Sequence, residues 1–326
     1  MPYPIARRLA LLCLLLAPAA HAQGLPAYRP INPVAAARTP LGFEPYREPG
    51  AGPWSADVAL DYANAIEHAD FSSALYDLDT EVLRLRVGVR RRVGARAFVG
   101  ADAALGGAYA GFLDGFLDWY HGLLGIDMPE RDRRPHDAFL YRLEPPDGEL
   151  RTRRPVDAYF GDLRLAAGMQ VAPHVQTVAT VTLPTSTAPD GYGLGVLGGG
   201  VVTTVSAPIA GPVLIYEGSL GVGYTPRHGD LSDYQRTTFF SGSSGLRWRF
   251  WGRQSLYGNL FVHSPYYHDT TVPSLDRRDV AFDFGWILAT QSGQEWRVGM
   301  TEDPEPGGPG VDLVFRLGLT FRPAPR

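Results

Sequence analysis

The sequence predicts an all-β protein, an antiparallel transmembrane β-barrel of about twelve strands with one amphipathic helix in a long external loop. Three observations lead to this fold class. Apolar and polar residues alternate with a period of two from about residue 54 to residue 321. Short connections alternate with long ones, as they do between the two sides of an outer-membrane barrel. One strand face is apolar with aromatic residues near the strand ends, whereas the other carries charges of both signs.

Residues 1–22 have the pattern of a secretory signal peptide. Arg7 and Arg8 precede an apolar run that is too short for a membrane helix, and small residues then form an exit site. The only cysteine, Cys13, lies in this segment. A mature chain that begins at Gln23 therefore offers no disulfide scaffold, thiolate metal site or cysteine nucleophile. Removing two of the 30 basic residues leaves 28 against 34 acidic ones, which argues against nucleic acid as a partner.

Residues 23–53 are rich in proline and show no alternation, so they are expected to form a periplasmic arm or a plug that enters the barrel. The barrel itself is expected over residues 54–326. Leu83, Leu85 and Val87 share one face of its clearest strand, opposite Arg84 and Arg86. The predicted strands cover residues 54–66, 81–92, 96–106, 158–171, 175–183, 193–206, 212–224, 237–250, 254–263, 277–289, 294–301 and 310–322.

The same alternation would suit a water-soluble antiparallel sandwich, in which one face is core and the other is solvated. A sandwich gives no reason for its connections to be sorted by length, so the barrel is favoured. Twelve strands also return the C-terminus to the side of the N-terminus, and the last strand ends on the aromatic Phe321. The expected location is the cell outer membrane, with outer-membrane lipid, lipopolysaccharide and the barrel assembly machinery as partners.

Charged residues on the predicted inner face form the main candidate site. Neighbouring strands place acids beside arginines, so these groups can form cross-strand ion pairs that rigidify a narrow lumen. The alternative is a weakly selective polar path, because the near-balance of sign disfavours a strong ion filter. The predicted lumen-lining charges are Asp57, Asp61, Arg84, Arg86, Arg90, Asp162, Arg164, Glu217, Arg247, Arg249, Asp283, Glu295, Arg297, Asp312 and Arg316.

The longest loop, residues 107–157, contains a predicted helix over residues 109–124 that ends at Gly125. Phe112 and Phe116 belong to its apolar stripe, and the stripe is expected to cap the barrel mouth, fold into it or lie at the membrane interface. The polar side carries Asp114, Asp118 and His121. Their spacing would let all three meet one metal ion, but a solvated helix face is the favoured interpretation, and neither a metal nor another cofactor is predicted.

At this helix the sequence resembles the bacterial family catalogued as domain of unknown function 3187. The resemblance is carried by Gly111, Phe112, Leu113, Asp114, Gly115, Phe116, His121, Gly125 and Pro135, and by the stretches RPINPV and VALDYANAIE. It implies an outer-membrane β-barrel and brings no assigned activity.

Three functions are compatible with these patterns. The favoured one is a channel or transporter for a small solute, and the second is a non-conducting structural or interaction barrel with an ion-paired lumen. A lipid-acting enzyme is disfavoured. His263 and Ser264 are neighbours in one strand, so their side chains point to opposite faces and cannot serve as base and nucleophile for each other.

Overall fold

The computed structural model describes residues 24–47, 52–71, 74–125, 131, 135–229, 231–305 and 308–322, so the predicted leader lies outside the described residues. Twelve antiparallel strands form a closed barrel, because each pairs with the next and the first pairs with the last. They are β1 (Trp54–Phe71), β2 (Ala74–Val93), β3 (Ala97–Tyr109), β7 (Leu163–Ala172), β8 (Val175–Leu183), β9 (Gly198–Pro208), β10 (Leu214–Tyr224), β11 (Thr238–Trp251), β12 (Gln254–His263), β13 (Asp279–Ala289), β14 (Gln294–Glu302) and β15 (Leu313–Phe321).

Shorter elements are attached to the wall of the barrel, which the twelve strands form. They are β4 (Leu140–Glu144), β5 (Arg151–Thr152), β6 (Val156–Phe160), helical turns at Pro33–Ala36 and Pro273–Asp276, a 3-10 turn at Ser232–Tyr234, and one longer helix, Asp114–Leu124, called the loop helix. β4 extends the sheet from the first half of β2, and β6 pairs with the second half of β3. None of the described helices is long and apolar enough to cross a membrane.

The two ends of the barrel differ. One end, the short-turn end, holds the connections β2–β3, β7–β8, β9–β10, β11–β12 and β13–β14 together with the start of β1 and the end of β15. Positive φ values at Gly94 and Gly252 allow two of these tight turns. The other end, the long-loop end, holds all longer connections that the barrel makes, including the loop helix. The parity of loop lengths predicted from sequence is the one that the structure has, except at the β1–β2 connection, where the two strands continue to Phe71 and Ala74.

Register explains the two faces of the wall. Leu60 pairs with Leu85 of β2 and Leu317 of β15, and these apolar side chains point outward. Leu317 is 48% exposed, whereas the alternate residue Arg316 is 4% exposed because it points into the barrel. Closure leaves no free strand edge in the wall, so its backbone groups are paired across strands, as a hydrocarbon environment requires.

The structure corrects three predicted boundaries. The segment 67–80 is not a loop, because β1 and β2 continue as a hairpin to Phe71 and Ala74 and receive β4 at their side. The predicted strand 158–171 is two strands, since β6 and β7 pair with successive halves of β3 and break at Gly161. The loop helix begins at Asp114 and not at residue 109, because Gly111 has a left-handed φ of +80° that a helix does not contain. Residue 111 must be glycine there, since a Cβ would meet Glu81.

Candidate functional site

Residues 24–47 lie inside the barrel and are called the plug. They form a hairpin held by backbone hydrogen bonds between Tyr28 and Phe43. Its tip is the turn Pro33–Ala36, and Asn32 caps the turn by accepting the N–H of Val34 at 2.9 Å. The plug therefore reaches from the short-turn end, where its two ends lie, to the long-loop end.

One wall of the lumen is built of small residues that let the plug approach closely. A Cβ at Gly223 would lie 2.8 Å from Cγ of Leu41, and a Cβ at Gly245 would lie 2.6 Å from Cδ1 of Leu25. Glu217, on β10 directly opposite Gly245, accepts the N–H of Leu25 at 3.2 Å. The plug is thus pressed against β9–β11, where larger inward side chains would displace it.

Polar side chains fasten the tip of the plug. The guanidinium of Arg38 donates to the carbonyl oxygens of Thr225 and Arg236 at 3.4 and 3.0 Å. The hydroxyl of Thr39 lies 2.7 Å from Nε2 of His263 on β12. Because Arg38 and His263 are both almost fully buried, these contacts are shielded from competing water.

On the opposite side the plug does not fill the lumen. A cavity of about 220 Å³, called the side cavity, lies between the plug and the strands β14, β15, β1, β2, β3 and β7. Arg47 and Arg322 border it at the short-turn end, and Tyr192 and Leu194 border it at the long-loop end. Its charged lining consists of Arg29, Arg47, Arg84, Arg86, Arg90, Arg164, Arg297, Arg316 and Arg322 with Asp57, Asp102 and Asp162.

Asp61 is the centre of the ion pairs around this cavity. Its carboxylate is fully buried and accepts hydrogen bonds from Arg316 at 2.6 Å and from Arg84 and Arg86 at 3.1 Å. Arg316 continues the network to Asp283 at 2.9 Å. Four strands, β1, β2, β13 and β15, are thereby joined through one cluster of side chains.

A second cluster joins the plug to the wall. Glu44 of the plug pairs with Arg29 of the plug and, at 2.5 Å, with Arg164 of β7. Asp102 of β3 pairs with Arg90 at 2.7 Å and with Arg164 at 3.2 Å. Sequence reasoning missed Arg29 and Glu44 because the plug has no alternation from which a facing direction can be assigned.

Two further predicted lumen acids pair with arginines that do not lie on a neighbouring strand. Glu295 pairs with Arg297 at 2.6 Å and with Arg247 at 3.5 Å. Asp57 accepts from Thr320 at 2.7 Å and lies 3.6 Å from Arg47 of the plug. These side chains point inward as parity predicts, but the plug takes part in the pairing.

Two of the predicted lumen charges have other roles, and a third is peripheral. Asp162 borders the cavity from the bend between β6 and β7, where it accepts the N–H groups of Ser186 at 3.0 Å and Leu194 at 2.8 Å and so holds a loop. Arg249 is half-buried on the inner face of β11, outside the side cavity. Asp312 precedes β15, so strand parity does not apply to it, and its carboxylate contacts His121 of the loop helix instead of the lumen.

The loop helix packs on the outer surface of the barrel. Leu113 and Leu117 are buried against Leu313, with Tyr62 and Phe315 beside them. These wall residues belong to the outward face of β1 and β15. The helix therefore neither caps the mouth nor enters the lumen.

Two of the three polar residues, Asp114 and His121, lie on the buried side of the helix with Leu113 and Leu117, contrary to the solvated face expected from sequence. Asp114 and His121 are 5% and 6% exposed. Arg131 donates to Asp114 at 2.8 Å and also bonds Asp312. Burial alone would raise the pKa of Asp312, but the hydrogen bond from His121 and the charge of Arg131 hold this pKa below its ordinary value.

The aromatic side of the helix faces away from the protein. Phe112 is 69% and Trp119 62% exposed, and Phe116 packs on Phe315 with a ring separation of 5.7 Å. Their surface is continuous with the apolar outer wall. The expectation that the stripe lies at the membrane interface is the one compatible with this placement.

The helix polar residues do not converge on one point. Asp114 pairs with Arg131, His121 contacts Asp312, and Asp118 lies 2.8 Å from His136. In the described part of the chain, no group of three or more His, Cys, Asp or Glu side chains could hold a metal ion.

His263 and Ser264 are also separated. The imidazole of His263 stacks on Tyr266 with ring centroids 4.4 Å apart and faces the plug, whereas the Ser264 hydroxyl accepts the N–H of Phe240 at 3.0 Å.

A closed barrel of twelve antiparallel strands, apolar outside and charged inside, defines an outer-membrane β-barrel protein. The structure is similar to the COG4313 outer membrane channel from Pseudomonas putida F1, with 13% identity, 85% of this chain and 99% of that chain covered, and a TM-score of 0.53. It is also similar to the NanC porin, with 8% identity, 82% and 99% coverage and a TM-score of 0.46. The first of these shares the barrel fold.

The chain belongs to the family described as protein of unknown function DUF3187, whose profile matches residues 55–322. No curated protein matches the sequence. The family resemblance found in the loop helix is therefore confirmed, and it extends over almost the whole barrel.

Proposed function

We propose that this protein is a small-solute channel of the outer membrane and that solutes pass through the side cavity. The observation that carries the proposal is the position of the cavity, which runs between plug and wall from Arg322 at one end to Tyr192 at the other. The long-loop end would face the exterior and the short-turn end the periplasm. The channel named in the fold comparison supports this proposal.

In this mechanism the plug narrows the lumen and stays in place. Glu217, Thr225 and His263 bind it on the wall away from the cavity, and Arg164 binds it on the cavity side through Glu44. Passage through the cavity then needs no unfolding of the plug and leaves the contacts on the far wall in place. The polar lining replaces part of the hydration of a solute that enters.

The second candidate is a non-conducting barrel whose lumen is locked by ion pairs. The observation that favours it is the extent of the network around Asp61, which ties four strands together. The two candidates differ in one respect that can be measured, since only the first requires an ion path.

A pair of matched substitutions on β1 tests the proposal in planar lipid bilayers. Ala59 points inward and lines the side cavity, whereas Ala56 points outward on the same strand. We expect the wild-type protein and Ala56→Trp to conduct alike and Ala59→Trp to lose most of the conductance, because an indole fills the cavity. A wild-type protein that gives no conductance in bilayers would contradict the channel and favour the locked barrel. Equal conductance in both variants would place the path elsewhere.

A further inference from the structure

The charge of the side cavity is uneven, and we infer that its solute is a small oxyanion, a molecule that bears a carboxylate or a phosphate group. The inference rests on the proposed channel and names its substrate class. Nine arginines line the cavity against three aspartates. Four carboxylates outside the lining, Glu44, Asp61, Asp283 and Glu295, bond some of these arginines, so nine positive charges still face seven negative ones.

Hydrogen-bonding capacity is more uneven than charge. A guanidinium has five N–H donors, whereas a carboxylate has two oxygen atoms with about four acceptor sites. Backbone carbonyl oxygens take up some of the donors, since Arg84 also donates to Pro30 and Arg29. Both oxygens of Asp61 are already occupied, Oδ1 by Arg316 and Oδ2 by Arg84 and Arg86. Arg86 reaches Asp61 through Nε, and among the described residues its two terminal nitrogens have no acceptor. Donors of this kind match the geometry of an oxyanion and offer nothing to a cation.

The arginines are spread along the path and come from both of its sides. Arg84, Arg86 and Arg90 follow one another on the inner face of β2, with Gly88 between the last two. Arg47 of the plug lies on the other side of the cavity, near the short-turn end. An anion that leaves one guanidinium is therefore already near the next, and a series of weak sites of one sign allows entry and release.

The aspartates of the lining do not form a competing cation path. Asp102 is bonded by Arg90 and Arg164, and Asp162 by loop N–H groups. Asp57 accepts a hydrogen bond from Thr320 and lies 3.6 Å from Arg47. The near-balance of sign expected from the sequence applies to the inward charges of the whole wall. The plug divides the lumen, and the portion that stays open has the arginine excess.

Reversal potentials in a KCl gradient test the inference on the purified full-length mature protein. We expect chloride to be more permeant than potassium, and inorganic phosphate on one side to reduce the chloride current. Arg86→Gln should lower the chloride-to-potassium permeability ratio by about five-fold, the size of one charge lost at about 4–5 Å in a watery medium. Arg322→Gln, at the end of the cavity, should act in the same direction. The matched control is Arg249→Gln, because this inward arginine lies outside the cavity.

The outcomes separate the inference from the channel on which it rests. Conductance that prefers potassium, or a preference equally reduced by Arg249→Gln, overturns the oxyanion and leaves the channel standing. Calorimetric titration of the detergent-solubilised protein with inorganic phosphate provides an arm that does not need conductance. Phosphate binding that is weakened by Arg86→Gln supports the oxyanion site, even if bilayers show no current. The missing current would then contradict only the proposed channel. The absence of both phosphate binding and chloride preference would overturn the inference.

Discussion

The carboxylate of Asp61 accepts a hydrogen bond from Nε of Arg316 at 2.6 Å, across the seam where the first strand of the barrel meets the last. The two residues are 255 positions apart in sequence and are directly paired in register. Because Asp61 also binds Arg84 and Arg86 of β2, one carboxylate connects β15, β1 and β2. The seam is therefore held by side chains in the lumen as well as by backbone hydrogen bonds.

Removal of this carboxylate should destabilise the barrel strongly. Asp61→Asn leaves three arginines without their shared counter-charge in a buried site, which costs about 3–5 kcal/mol. Asp57→Asn is the matched control on the same strand, and its loss should be smaller because the Asp57 side chain is 27% exposed. Urea titration after refolding into lipid vesicles measures both. Equal losses would show that the seam does not depend on Asp61.

Outward residues should tolerate no charge at mid-strand. Leu317 lies between inward Arg316 and Gly318 and is 48% exposed on the outer wall. Leu317→Arg places a guanidinium against hydrocarbon, at a cost of about 2–4 kcal/mol near the midplane. Leu317→Ala keeps the position neutral and serves as control. Equal stability of the Arg and Ala variants in vesicles would mean that this face is not in contact with lipid.

Conduction should persist when the plug is locked. The double variant Leu41→Cys with Gly223→Cys places two thiols where a Cβ at 223 would already lie 2.8 Å from the Leu41 side chain. A mature chain without Cys13 contains no other thiol. Gly223 is not among the residues that line the side cavity, so the crosslink holds the plug against the wall opposite the cavity. Bilayer conductance should therefore be the same before and after reduction with dithiothreitol. Conductance that appears only after reduction would show that the plug must leave the lumen.

The exposed side of the loop helix should contact lipid. Leu123 is 68% exposed on the side of Trp119, whereas Asp118 lies on the polar side. An environment-sensitive fluorophore on Leu123→Cys should emit at shorter wavelength in vesicles than the same fluorophore on Asp118→Cys, and brominated lipids should quench it more strongly. Identical spectra at the two positions would place the helix in water.

Docking of the loop helix should be lost in strong acid only. The pKa of Asp312 is held below its ordinary value of 3.8, so its ion pair with Arg131 stabilises the docked state at every pH above that value. This contribution disappears as pH falls through the lowered pKa. The Leu123→Cys fluorophore should therefore report constant emission from neutral pH down to about 4 and a change below it. Asp312→Asn should weaken docking at neutral pH and remove the acid transition attributable to this carboxylate.

Alternation along the chain determined the architecture. A period of two, with apolar residues at Leu60, Leu85 and Leu317 and charges between them, is sufficient to predict strands with one face toward hydrocarbon. The sorting of long and short connections then fixed the strand count. Strand ends at the long-loop end were harder to predict, because β1, β2 and β3 continue beyond the membrane-like pattern and pair with β4 and β6.

The helix shows where a local pattern is ambiguous. Its two faces were assigned correctly by spacing, yet the side that is buried was not, because amphipathicity does not say which face meets the protein when the other can meet lipid. Asp114 and His121 are buried only because Arg131 and Asp312 approach them, and these contacts join residues far apart in sequence.

The sequence by itself determined the barrel, its compartment class and the inward direction of the charged residues, since these follow from local periodicity and from the bilayer as solvent. Only the tertiary structure decided that residues 24–47 enter the lumen and pack against the glycines of β9–β11. It also decided that arginines line the space that remains. The physical reason is that the plug has no repeating pattern. Its position depends on shape complementarity with Gly223 and Gly245 and on ion pairs such as Glu44 with Arg164, which exist only once the barrel has closed.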